Sequence, residues 1–119
     1  MRAIRTLLVT CSLALCAGAA QAQNTAFLRD APISHMNRDD IALMERNYLQ
    51  ALDALPDGHT NTWTNPKTGA SGTATPSRTT KQNGATCRML EITNNAGGKS
   101  GRTEWTFCKT KEGWRTSGR

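Results

Sequence analysis

Between Asn37 and Gly58 the apolar positions recur at three- and four-residue steps. Ile41, Met44, Tyr48, Leu52 and Leu55 make up the series, which puts them on one stripe of an α-helix. Asn37 stands where a side chain can cap free backbone N–H groups, and Asp39 and Asp40 suit the positive end of the helix dipole. Pro56-Asp57-Gly58 closes the segment, since proline lacks a donor and glycine accepts a left-handed turn. Leu49 and Ala51 widen the apolar face. A single amphipathic helix of this length is expected to pack its stripe on a sheet.

Past Gly58 the pattern changes to threonine-rich runs separated by turn clusters. His59 to Thr64 predicts a first strand carrying Trp63, and Asn65-Pro66-Lys67-Thr68-Gly69 a turn. Ala70 to Lys81 predicts a second strand, where Pro76 implies an edge position or a bulge. Gln82-Asn83-Gly84 is a hairpin signal. Thr86 to Thr93 forms a third strand, Asn94 to Gly98 a looser turn, and Arg102 to Lys109 a fourth strand. Lys111-Glu112-Gly113 then turns into a short last strand at Trp114. The prediction is an α+β domain: one N-terminal amphipathic helix packed on an antiparallel β-meander of four to five strands.

The chain ahead of the helix divides in two. Residues 1–22 have a positive start at Arg2 and Arg5, an apolar run from Leu7 to Leu15, and the small-x-small site Ala20-Gln21-Ala22. This is the pattern of a secretory signal peptide. The run is shorter than the roughly 18 residues a membrane-spanning helix needs. Lipidation at Cys16 is the alternative, but Leu15 before it is not small. Residues 23–36 show no period and are expected to form a flexible leader to a domain at 37–119, with no transmembrane helix after cleavage.

At this size folding buries roughly two-thirds of the surface, so the core is modest. Two phenylalanines, one tyrosine and three tryptophans are the whole aromatic stock. A cross-link would help. Cys11 and Cys16 leave with the signal, and Cys87 and Cys108 remain as a pair in an oxidising compartment, which predicts a structural disulfide. Such a loop closure contributes ~3 kcal/mol in the chain-entropy model. A redox pair or metal site would want CxxC spacing or clustered histidines, and the sequence has neither.

Charge is uneven. From Gln23 to Asp57 three arginines face six acids; from Gly58 onward ten Lys and Arg face three glutamates. A basic half outside the cytoplasm points away from nucleic acid and toward lipopolysaccharide phosphates, anionic lipid or other acidic surfaces. The competing account is a solvated sheet face, because the charges are spread out.

Little in the sequence offers catalysis. His59, Asp57 and Ser71 could be assembled into a hydrolase triad, yet no nucleophile-elbow pattern surrounds any serine. Glu91 and Glu104 sit on neighbouring strands, where paired carboxylates are more often solvated than catalytic. Gly69-Ala70-Ser71-Gly72-Thr73 lacks the lysine and following helix of a P-loop. No catalytic residue, metal site or cofactor is expected.

The block Trp63-x-Asn65-Pro66-x-Thr68-Gly69-x-x-Gly72-x-x-x-Pro76-x-Arg78-Thr79 resembles the signature of the rickettsial seventeen-kilodalton surface antigen family, small proteins of the Gram-negative outer membrane. Gly84-Ala85-Thr86-Cys87-Arg88, Cys108-Lys109 and Glu112-Gly113-Trp114 follow in that family's order, and the likeness covers Asp39 to Trp114. Many members carry a lipobox and a glycine zipper, which are lacking here, so a periplasmic or outer-membrane-associated exported protein is expected. The resemblance brings no catalytic residues, and the expected role is to bind or maintain an envelope component, with lipopolysaccharide, peptidoglycan or an envelope protein as the partner. Trp63, Arg78, Arg88 and Trp105 are the candidate binding surface, where basic and aromatic residues share strands; the competing account, which the composition favours, puts Trp63 and Trp105 in the core and leaves the arginines solvated or hydrogen-bonded to turns. The alternative is a small periplasmic inhibitor or chaperone-like protein that presents a loop, Asn94 to Gly101, to a partner protein.

Overall fold

A computed structural model describes residues 31–118. The expected signal peptide and most of the expected leader, residues 1–30, lie outside it. The last leader residues are structured: Pro32–His35 form a 3-10 turn with Pro32 buried. Pro32 lies against Gly101 and His35 against Gly97. The domain thus begins a few residues earlier than the helix cap.

Helix α1 spans Arg38–Ala54. Asn37 Oδ1 accepts from the Asp40 N–H at 2.8 Å, and Asp40 Oδ2 accepts from the Asn37 N–H at 3.0 Å. This reciprocal capping box satisfies two of the donors a helix start leaves open. Ala51 and Leu52 are buried, with Met44, Tyr48 and Leu55 partly buried beside them. Leu49 points to solvent and does not widen the apolar face. Two polar residues, Asp40 and Asn47, are buried on the packed side instead.

Five strands follow as an antiparallel meander: β1 Asn61–Asn65, β2 Ala70–Gln82, β3 Ala85–Ala96, β4 Lys99–Thr110 and β5 Gly113–Gly118. Asn83 and Gly84 both have positive φ, as a two-residue hairpin of the Asn-Gly type demands. Between β3 and β4 the strands run further than the sequence suggests. Asn94 to Ala96 belong to β3 and Lys99 to Gly101 to β4, leaving only Gly97-Gly98 as the turn. The expected loop at Asn94–Gly101 is therefore a tight hairpin.

Pro76 sits beside a register shift between Ser77 and Thr80, and pairing with β1 stops at Ala74. Its carbonyl accepts from the Gly58 N–H at 2.7 Å. A residue's N–H and C=O share one side of a strand, so the missing donor faces the Gly58 side and no β2–β3 ladder bond is lost. Both halves of the expectation hold locally: a bulge, and a stretch without a β1 neighbour.

Alternation sorts the sheet into two faces. Ala74, Leu90, Phe107 and Trp114 meet Ala51 and Leu52 of α1 in the main core. A smaller cluster of Trp63, Ala70 and Ala96 lies under Leu43 and Met44 toward the start of the helix. Gly72 makes that cluster close. A Cβ there would stand 2.5 Å from Trp63 Nε1 and 2.6 Å from Asn94 Oδ1, and would overlap the Thr93 carbonyl oxygen. The backbone atom cannot swing away, so Gly72→Ala is expected to cost about 1–3 kcal/mol through overpacking. Thermal unfolding should show a drop of several degrees; an unchanged midpoint would mean the cluster yields freely.

Candidate functional site

Cys87 and Cys108 are directly opposed across β3 and β4 and are joined by a disulfide, with Cα atoms 4.0 Å apart. The other sequence-derived site residues are not gathered into one surface. Trp63 is 6% exposed in the smaller core cluster, and its buried Nε1 has no partner among the described residues. Trp105 is half-buried against the main core opposite Leu90. Arg78 is exposed at the β2 bulge with φ 49°. Arg88 is 7% exposed.

Arg88 has a structural assignment. It projects from the core face of β3 to the end of α1, where the last carbonyls of a helix lack intrahelical donors. Its Nη1 donates to the carbonyls of Ala51 at 3.2 Å and Leu52 at 2.8 Å. Nη2 donates to the Leu55 carbonyl at 2.6 Å and to Asp57 Oδ1 at 2.9 Å, and Nε to Thr79 Oγ1 at 2.8 Å. These use the guanidinium's full set of donors. Asp57 also accepts from the Thr79 hydroxyl and backbone N–H. The Thr79 hydroxyl, the Arg88 guanidinium and the Thr79 N–H hold the Asp57 carboxyl down at about 2. The positive φ of Arg78 lies in the register shift that brings Thr79 to this position.

Beside this cap lies a groove of about 550 Å³ lined by Asp53, Leu55, Asp57, Thr86, Lys109 and Trp114, among others. Asp53 Oδ1 accepts from Trp114 Nε1 at 2.8 Å, and Lys109 Nζ stands 3.8 Å from the same oxygen. The ammonium also lies 5.7 Å from the Trp114 ring centroid, within cation–π range. No sequence signal pairs Asp53 with Trp114, because 61 residues separate them.

Exposed cations cluster at the same end. The β2–β3 and β4–β5 hairpins lie side by side there, as the Cys87–Cys108 pairing requires. Arg78, Lys81, Lys109, Lys111 and Arg115 are all exposed on these segments, against the acids Asp53, Asp57 and Glu112. Elsewhere the carboxylates considered for catalysis are engaged. Glu91 and Glu104 are opposite each other on β3 and β4, and Arg102 bridges them at 2.7 and 3.1 Å. Asp57 is committed to Arg88 and Thr79. Among the described residues no three His, Cys, Asp or Glu side chains come together as a metal site, and no helix is long and apolar enough to cross a membrane.

Residues 50–115, from the last turn of α1 to the middle of β5, match the 17 kDa outer membrane surface antigen family. The chain belongs to this family. It is 38% identical over 79 residues to the 17 kDa surface antigen of Rickettsia bellii (strain RML369-C), and 33% identical over 79 residues to that of Rickettsia felis (strain ATCC VR-1525 / URRWXCal2). Each alignment covers 66% of this chain and 50% of the relative, so the chain spans about half the length of the curated relatives it matches. No solved structure matches. Membership makes the protein one of the surface-antigen proteins of the cell envelope.

The residues that carry the family likeness have physical tasks in this fold. Asn65 Nδ2 and Thr68 Oγ1 donate to Asp40 Oδ1 at 2.8 and 2.7 Å, fastening the β1–β2 turn to the start of α1. Asn65 Oδ1 accepts from the Lys67 N–H, and the Gly69 N–H closes the turn on the Asn65 carbonyl. Arg88 caps the other end of the helix. Trp114 ties β5 to Asp53. The family block is thus chiefly a set of clamps between α1 and the sheet.

Proposed function

We propose that this is an exported, non-catalytic envelope protein that binds an anionic component of the envelope with the end of the sheet at which α1 terminates. The observation supporting the reading is the gathering of Arg78, Lys81, Lys109, Lys111 and Arg115 around two adjacent hairpins. A collection of cations at one end of the sheet raises the local concentration of anionic partners and orients their approach. Periplasmic or outer-membrane-surface placement belongs to the same proposal. The inhibitor-like alternative loses its presenting loop, because Asn94–Gly101 is strand apart from a glycine pair.

Cosedimentation with purified cell-wall sacculi and flotation with lipopolysaccharide vesicles test the proposal. Retention on at least one is expected at low salt, weakening as the screening length falls from about 10 Å at 0.1 M to about 3 Å at 1 M. Reversing two charges, Lys111→Glu with Arg115→Glu, should reduce retention at least tenfold. Retention on neither, or retention indifferent to salt and charge reversal, would overturn it. One envelope protein captured stoichiometrically in place of polymer or lipid would favour the inhibitor-like reading.

A further inference from the structure

The groove at the end of α1 offers opposite charges on its two walls. Its helix side presents the Asp53 carboxylate, with no basic residue in the last turn, while Asp57 and the last helix carbonyls are already taken up by Arg88 and Thr79. Arg88 sits behind this wall, but its donors are already consumed. It therefore offers no hydrogen bond to an incoming anion. The strand side presents the Lys109 ammonium. At 3.8 Å from Asp53 Oδ1 it is too far for a tight hydrogen bond, and both side chains are 57% exposed. Asp53 itself is held in place by the Trp114 indole.

A simple anion entering here meets Lys109 but also the Asp53 carboxylate. A simple cation meets that carboxylate but also Lys109. A ligand carrying both charges close together satisfies each wall at once, as an antiparallel double ion pair with Asp53 and Lys109. The volume suits a small end group, within the roughly 300–1,000 Å³ of small-molecule sites.

We infer that this groove binds a free amino-acid end group, an ammonium and a carboxylate on one carbon, of the kind a diamino dicarboxylic acid leaves uncapped in a cell-wall stem peptide. The inference rests on the envelope-binding reading above and names its ligand class. The Asp53 carboxylate takes the ammonium, and Lys109 takes the carboxylate. Trp114 orients Asp53 and forms the floor.

The probe is meso-diaminopimelic acid, titrated into the disulfide-bonded exported chain while the Trp114 indole N–H resonance is followed by NMR. Pimelate lacks the ammoniums and 1,5-diaminopentane lacks the carboxylates. A saturable shift with the amino acid is expected, with either half-probe at least tenfold weaker. Asp53→Asn and Lys109→Met should each weaken binding at least tenfold. Both side chains are largely exposed, and an unchanged denaturation midpoint will show that the fold is intact. Absence of a saturable shift, equal binding of a half-probe, or indifference to both substitutions would overturn the inference. Should salt-sensitive retention on sacculi persist through such a failure, the envelope reading stands and only the ligand assignment falls. Retention on lipopolysaccharide vesicles alone, with no diaminopimelate shift, rejects the ligand class in favour of a phosphate surface.

Discussion

Replacing Arg88 with methionine is expected to destabilise the domain by about 3–5 kcal/mol. The ion pair is the minor part, because Asp57 is 44% exposed and an ion pair open to water contributes little. The cost arises at the helix end. The buried Leu52 carbonyl and the part-buried Leu55 carbonyl lose their charged donor, at about 1–3 kcal/mol for each buried group left unpaired. Methionine fills much of the stem's volume, so packing loss adds only modestly. Domains of this kind are stable by about 5–15 kcal/mol, so the variant should remain folded at low temperature with its urea midpoint far below the parent's. Arg88→Lys should fall between the two, since an ammonium cannot span the helix carbonyls, Asp57 and Thr79 together. A midpoint within 1 kcal/mol of the parent for Arg88→Met would show that the helix end is capped by solvent instead.

Arg88 also shows where sequence reading stops. Its place on β3 puts it on the same face as Leu90, and that parity was legible: a cation on a core-facing position needs a partner. The partners are backbone carbonyls 33 to 37 residues earlier. A carbonyl has no side-chain identity, so no motif could announce them. The same holds for Trp63. Its indole suits either a core or a binding surface on sequence grounds, and the structure buries it against Gly72, whose missing side chain leaves room. What the sequence made plain was local or short-range: the Asn37 cap, the proline stop, the Asn83-Gly84 hairpin, and two cysteines on neighbouring strands. The extension of β3 and β4 through Asn94–Ala96 and Lys99–Gly101 was not readable. Asparagine, glycine and lysine carry weak strand preference, and pairing across the Gly97-Gly98 turn overrides it.

The groove was hidden for a further reason. Asp53 lies on the exposed side of α1's last turn and Trp114 on the final strand, and only the closure of the meander brings them within hydrogen-bonding distance. Family likeness marks Lys109 and Trp114 as parts of a signature, yet gives no role to Asp53. A motif can therefore flag the floor and one wall of a site while the opposing wall comes from a position outside it.

The second large effect concerns Asp40 at the opposite end of the helix. This carboxylate is fully buried and accepts from the Asn37 N–H, the Asn65 amide and the Thr68 hydroxyl. Burial pushes its pKa up, but the bonds from Thr68, Asn37 and Asn65 outweigh that and hold it below its ordinary value of 3.8. A carboxyl that titrates lower in the folded than in the unfolded chain contributes its full stability above the unfolded value. It loses that contribution as pH falls through the folded value. Asp57, held at about 2, acts in the same direction. Stability should therefore be flat above pH 5 and fall progressively as the medium is acidified from 3.8 toward 2. Asp40→Asn should cost about 2–3 kcal/mol at neutral pH, because its amide nitrogen opposes either the Asn37 N–H or the donors of Asn65 and Thr68. In exchange it should flatten the acid limb of the stability curve, leaving the residual slope to Asp57. Urea midpoints for parent and variant at pH 7 and pH 3 decide the matter. If the two proteins lose the same free energy on acidification, Asp40 is not the group whose protonation loosens the turn from the helix.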